Sequence, residues 1–286
     1  MSVAPDTATA PAHERLRAMF GVELPLIGMC HLLALPGRPR HDDAAGVGGV
    51  VGALRTDVRV LQEAGVDGLL FCNEHDLPYQ LEVGPEVVAG MAAAVAAVTP
   101  EVVVPFGVDV LWDAKAALAV ARATGASFVR EVFTGVFESD MGMLAPDLGA
   151  LSAYRRAIGA ADVALFVNVT PEFSRSVSGR PVADRARGAR YMGADAILVS
   201  GPAAGVAASP DDLREAHEAT PDVPVFANTG IRHDTVERVL EVADGVIVGS
   251  ALKEDGDTWR PVDPDRARDM VAAVRAVRAR RSSSPR

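Results

Sequence analysis

Five polar side chains able to bind a ligand or move a proton stand at the ends of strongly apolar runs: His31, Glu74, Asp109, Arg130 and Asn168. Such a group inside an apolar run is costly unless it is paired or used, so each needs a partner or a role. Asp109 lies in Phe106-Gly107-Val108-Asp109-Val110-Leu111-Trp112. Burial there raises a carboxyl pKa and a neighbouring arginine lowers it, which is how a carboxylate is set for acid/base work. Arg130 is the candidate neighbour, and a purely structural Asp109–Arg130 ion pair is the plainer alternative. Arg130 and Glu131 are consecutive, so in a strand they point to opposite faces, and Arg130 is expected to face the site. Glu74 is the second acid/base candidate. Asn73, Glu131 and Glu172 are expected to contact substrate.

A second set of residues suits phosphate. The late apolar runs end in Ser200-Gly201, Asn228-Thr229-Gly230 and Gly249-Ser250-Ala251-Leu252-Lys253. Glycine lets a ligand approach backbone N–H groups closely, Ser250 adds a hydroxyl, and Lys253 adds a charge. The plain alternative is that tight turns favour Gly, Ser and Asn. A hard divalent cation on Glu74, Asp109 and Asn168 is the metal reading left open. Cys30 and Cys72 lack the matching ligands for zinc and read as buried thiols. HExxH, P-loop and GxSxG motifs are absent, and nothing demands an organic cofactor.

These residues need elements to position them. Apolar runs over residues 24–31, 67–73, 102–111, 127–133, 161–170, 194–201, 223–230 and 244–253 alternate with Ala/Val/Arg-rich helical patterns. Runs without polar alternation suit parallel strands buried on both faces. Helix-to-strand turns are short and carry Asp67, Asp195 and Asp244. Strand-to-helix loops are long, over 73–84, 134–146, 170–179 and 201–208. That asymmetry predicts a single α/β domain, a (β/α)8 TIM barrel over residues 21–276, with its site at the C-terminal strand ends. A doubly wound open sheet is the rival, but Gly28-Met29-Cys30-His31 is not its GxGxxG fingerprint. Ser209-Pro210 and Asp263-Pro264 read as helix starts, and Asp234 with Glu237 as a capping box. Residues 1–20, rich in Ala, Pro and Thr, are expected to be a poorly ordered extension, and 277–286 an Arg/Ser-rich frayed tail.

The 286 residues carry 28 basic and 38 acidic side chains, net −10. Five of the arginines fall in the last twelve residues, leaving 23 basic against 38 acidic elsewhere. A body that acidic argues against nucleic-acid partners. No run reaches the ~18 apolar residues of a membrane span. The start shows no signal-peptide pattern, and two cysteines make no disulfide framework, so a cytoplasmic setting is expected. A homo-oligomer stays open.

Several segments together resemble one known family. They are Gly28-Met29-Cys30-His31-Leu32-Leu33-Ala34-Leu35-Pro36-Gly37, Asn73…Asp76…Pro78-Tyr79, Ser127-Phe128-Val129-Arg130, and Ala243-Asp244-Gly245-Val246-Ile247-Val248-Gly249-Ser250-Ala251-Leu252-Lys253. Over roughly residues 24–275 the chain is similar to the BtpA/SgcQ family. The resemblance implies a TIM barrel related to phosphate-binding barrels. It also implies a choice of roles, since one branch is named for photosystem I biogenesis and another is associated with sugar-metabolism operons. The chain departs from the family pattern at Cys72, at Asn228-Thr229-Gly230, around Glu131 and over residues 170–174, all where substrate would bind. Two functional readings follow. One is an enzyme acting on a small phosphorylated sugar or nucleotide as isomerase, lyase or glycosidic hydrolase. The other is a non-catalytic binding or assembly protein that keeps a pocket. The strand-end carboxylates favour the enzyme.

Overall fold

The apolar runs become strands buried on both faces, as continuous Val/Ile/Leu/Phe stretches require. In the computed structural model, which describes residues 11–283, helix α1 (Ala12–Phe20) precedes eight parallel strands. These are β1 (Leu26–His31), β2 (Gly68–Cys72), β3 (Phe106–Asp109), β4 (Phe128–Glu131), β5 (Ala164–Asn168), β6 (Ala196–Val199), β7 (Val225–Ala227) and β8 (Gly245–Val248). They pair in chain order, and β8 closes on β1 with Leu26 opposite Val246, completing a barrel. The helices are α2 (Gly46–Ala64), α3 (Pro85–Val98), α4 (Ala114–Thr124), α5 (Leu148–Ala157), α6 (Val182–Tyr191), α7 (Pro210–Ala219), α8 (Val236–Val239) and α9 (Pro264–Ser283). As read from the sequence, Ser209 and Asp263 accept the first amides of α7 and α9. Asp234 does not cap α8: it pairs with Arg232, and Thr235 precedes the helix.

Large rings fill the barrel. Phe128 stacks on Phe166 with centroids 4.5 Å apart, and Phe166 meets Phe226 at 5.4 Å. Gly107 makes room, because a Cβ there would lie 2.3 Å from the Phe128 ring. Phe20 of α1 closes the lower end, edge-on to Phe128 at 5.9 Å. The expected disorder before residue 20 is therefore corrected for 12–20. Leu16 and Phe20, one helical turn apart, are both buried and hold the segment as a plug. Residues 1–10 lie outside the described residues.

Three aspartates tie that lower end together. Asp67 accepts the Leu26 amide at 2.8 Å, Asp195 the Leu165 amide at 2.8 Å, and Asp244 the Val225 amide at 2.9 Å. Each also donates its own amide back to the same residue's carbonyl. All three thus sit at the N-terminal strand ends, each bridging to the preceding strand. Arg15 of α1 pairs with Asp195, and Arg278 of α9 with Asp67. The tail accordingly remains helical to Ser283, with Arg278 and Arg281 bonded to the Leu24 and Leu240 carbonyls, and is not frayed over that stretch. Residues 284–286 lie outside the described residues. At the opposite end, strands Phe137–Ser139, Gly142–Leu144 and Ser174–Ser176 form a small antiparallel sheet within the loops after β4 and β5. Among the described residues, no helix is long and apolar enough to cross a membrane.

Candidate functional site

The long loops and the C-terminal strand ends surround a cavity. His31, Glu74, Arg130, Glu172 and Asn228 line it, with Gly230, Gly249 and Ser250. At its base Arg130 is shared by two carboxylates: Nη1 donates to Asp109 at 2.8 Å and Nη2 to Glu172 at 3.0 Å. Asn168 steadies this pair, donating to Glu172 at 3.2 Å and to the Ser200 hydroxyl at 3.0 Å. Asn228 donates to the same hydroxyl at 2.7 Å, while its own Oδ1 is buried without a partner. Burial works against charge on Arg130, but Asp109 and Glu172 outweigh it and push its pKa up.

Glu74 follows β2 and reaches into the cavity. The Tyr79 hydroxyl donates to it at 3.2 Å, and the Cys72 thiol approaches at 3.6 Å. Burial raises the Glu74 pKa, Arg130 opposes the rise, and the charges of Asp109 and Glu172 add to it. His31 ends β1, with Nδ1 3.4 Å from the Thr258 carbonyl. Burial and the nearby Lys253 charge hold its pKa well below the usual histidine value. The imidazole is therefore neutral at pH 7 and suited to accept or share a hydrogen bond. Ser250 opens a one-turn helix, Ser250–Leu252, and its hydroxyl lies 2.5 Å from that of Thr258.

Several expected site residues sit elsewhere. Asp109, the first choice for acid/base work, is 1% exposed and lies under Arg130 rather than on the cavity wall. Burial still raises its pKa against the pull of Arg130. Asn73 ties loops together: its Oδ1 accepts the Leu111 amide and its Nδ2 donates to Asp76, which in turn accepts the Leu35 amide. Glu131 is buried away from the cavity, with Oε2 accepting the Val132 amide and Oε1 unpartnered. Lys253 is turned outward beneath α2, 1% exposed, its Nζ donating to Asp57 at 2.7 Å. It cannot serve a phosphate in the mouth. Ser200 and Gly201 line a neighbouring cavity. Gly230 lines the mouth but is roofed by Val206 and Ala207, where a Cβ would come within 2.1 Å of the Ala207 nitrogen.

The cation reading left open on Glu74, Asp109 and Asn168 finds no such ligand set. Asp109 is committed to Arg130, and the Asn168 oxygen accepts the Thr170 amide at 3.1 Å. Among the described residues, no group of three or more His, Cys, Asp or Glu side chains is arranged to hold a metal ion. Sequence reasoning missed Tyr79, Trp112, Phe173 and Thr258, which also line the mouth. Tyr79 belongs to one of the segments that carry the family resemblance; for the others the signal was proximity in sequence to Asp109, Glu172 and Ser250.

Comparison with known proteins agrees with this architecture. The BtpA family pattern matches residues 22–276. The protein SgcQ of the sgc region of Escherichia coli K12 is 37% identical over 264 residues, covering 92% of this chain and 98% of that protein. The photosystem I biogenesis protein BtpA of Synechocystis is 33% identical over 259 residues, covering 89% of each chain. A Schiff-base-forming fructose-1,6-bisphosphate aldolase superposes with a TM-score of 0.52 at 18% identity, over 92% of this chain and 99% of its own. At that identity the likeness is one of fold.

Proposed function

The chain belongs to the BtpA family, and from that premise we propose an enzyme that moves a proton on a small phosphorylated sugar or nucleotide. In this reading Glu74 is the acid/base group. Gly249 and Ser250 receive the phosphate, and Arg130, braced by Asp109 and Glu172, binds substrate oxygen. The observation that carries it is Glu74 itself. It is a carboxyl on the wall of a cavity, held above its ordinary pKa by burial, with a phenol hydroxyl donating to it. A carboxyl whose pKa is raised by burial on a cavity wall is suited to give and take a proton. A pocket kept only for assembly, the role named for the Synechocystis relative, has no use for so costly an arrangement.

The lysines narrow the chemistry. A Schiff base needs a lysine amine at the substrate. The chain has two lysines. Lys115 lies over the Tyr154 ring, and Lys253 is buried against Asp57. Proton transfer, as in isomerisation, elimination or glycosidic cleavage, remains. The test begins with a thermal-shift screen of glycerol 1-phosphate, ribose 5-phosphate and AMP. A ligand at a hundredfold excess over Kd adds about 2.7 kcal/mol of stability. Glu74→Gln should then keep that shift while turnover falls ~10²- to 10⁴-fold. Absence of a shift with any phosphorylated ligand, or full turnover in the variant, refutes the reading.

A further inference from the structure

A second cavity lies behind one wall of the mouth, and the proposed reaction leaves it unused. It lies between the small antiparallel sheet, the loop after β6, and the N-terminal turns of α6 and α7. Arg175, Arg180 and Arg185 line it, and Asp212 is the one carboxylate among its lining residues. Three guanidinium groups and one carboxylate line the recess, with Glu215 also close enough to act on Arg185, in a chain whose net charge is −10. Arg180 uses Nη2 on the Asp184 carbonyl at 2.6 Å rather than on an acid. The Arg185 Nε is buried with no hydrogen-bond partner. Burial pushes the Arg185 pKa down, Asp212 and Glu215 oppose it, and the charge of Arg180 adds to the fall. A desolvated cation with an idle donor, beside two more of its own sign, is stabilised by an anion.

The two cavities are neighbours that share part of a wall. The Phe173 amide donates to the Pro202 carbonyl at 2.9 Å across it, and Asn228 on the mouth side bonds Ser200 on the recess side at 2.7 Å. We propose that the recess is a second anion site, taking the phosphoryl group of a small molecule on the guanidinium groups of Arg175, Arg180 and Arg185. A phosphate monoester carries close to two negative charges, about −1.5 to −2 at neutral pH, and three oxygens, enough to engage more than one guanidinium group at once. Planar guanidinium forks also fit phosphate oxygens two at a time. The phosphoryl group has two possible sources: the far phosphate of a ligand that also enters the mouth, or a separate phosphorylated molecule.

The test is calorimetric titration with inorganic phosphate at low ionic strength. It compares the unaltered protein, the double variant Arg180→Ala/Arg185→Ala, and Ser250→Asp in the mouth. The double variant should bind phosphate in the recess at least tenfold more weakly, while Ser250→Asp keeps that event. Circular dichroism checks that α6 still folds. Arg175→Ala, on an exposed edge strand, provides a variant without that risk and should weaken the same event severalfold. Unaltered phosphate binding in both arginine variants overturns the site. Loss of binding in Ser250→Asp alone would instead support only the phosphate end of the mouth and overturn the recess. Glycerol 1-phosphate and fructose 1,6-bisphosphate separate the sources. One bisphosphate per chain, weakened by either set of substitutions, means one ligand spans both cavities. Two monophosphates per chain means separate molecules.

Discussion

Arg130→Met retains much of the side-chain volume and removes the guanidinium that Asp109 and Glu172 share at 2.8 and 3.0 Å. The three side chains are 7%, 1% and 5% exposed, so water does little to replace the lost partner. Stranding one half of a buried pair costs ~3–5 kcal/mol, and two stranded carboxylates point to the upper end. For a domain of this size, ~5 kcal/mol corresponds to a fall of roughly 10 °C or more in melting temperature. The loss should also depend on pH. Burial already holds Asp109, Glu74 and Glu131 above their ordinary values, with Arg130 pulling each of them down. Without Arg130 they rise further. A carboxyl whose folded pKa exceeds its unfolded value binds more protons when folded, so stability grows as pH falls through the folded pKa towards the unfolded one. The deficit should therefore be largest at pH 7 and shrink by pH 5. Urea unfolding of both proteins at the two pH values, followed by circular dichroism, measures it. A deficit under ~1 kcal/mol would be that of an exposed pair. That result, or a deficit equal at both pH values, would refute the buried clamp.

Other outcomes follow from the same geometry. Ser250→Asp sets a negative charge where the phosphate should sit, and calorimetry should show affinity for a phosphorylated ligand falling more than tenfold, ~1.4 kcal/mol, with melting temperature unchanged. Lys253→Met removes the cation beside buried Asp57, leaving it only the Val262 amide, and should cost ~3 kcal/mol in urea unfolding. Normal stability with lost ligand binding in that lysine variant would return Lys253 to the mouth. Phe20→Ala empties the barrel's lower end and should cost ~3–5 kcal/mol, with faster proteolysis ahead of β1. A melting temperature unchanged from that of the intact chain would mean α1 is not a plug.

The barrel was readable because parallel strands leave a continuous apolar signature, as in Ala196-Ile197-Leu198-Val199. Polar residues stood out against it, which brought His31, Glu74, Arg130 and Asn168 to notice. Depth was not readable. Asp109 and Glu74 lie one layer apart because Cys72 pairs with Asp109 in the register, placing Glu74 two residues beyond the last barrel pair. The direction of Lys253 was hidden too, since its partner Asp57 is 196 residues away. Residues 12–20 hid a helix anchored to the barrel by two buried side chains, Leu16 and Phe20. The small sheet was invisible because three-residue strands such as Ser174–Ser176 are too short to show a period.

The aspartate-tied lower end has a practical consequence. Asp195 holds Arg15 near the first described residues, and Asp67 holds Arg278 near the last, so both ends of the described chain leave the molecule opposite the mouth. A surface tether joined where the described chain begins or ends would emerge beneath the barrel, on the side away from the long loops. Immobilised there, the protein would present its cavities outward, the orientation that a ligand-capture surface or a sensor requires.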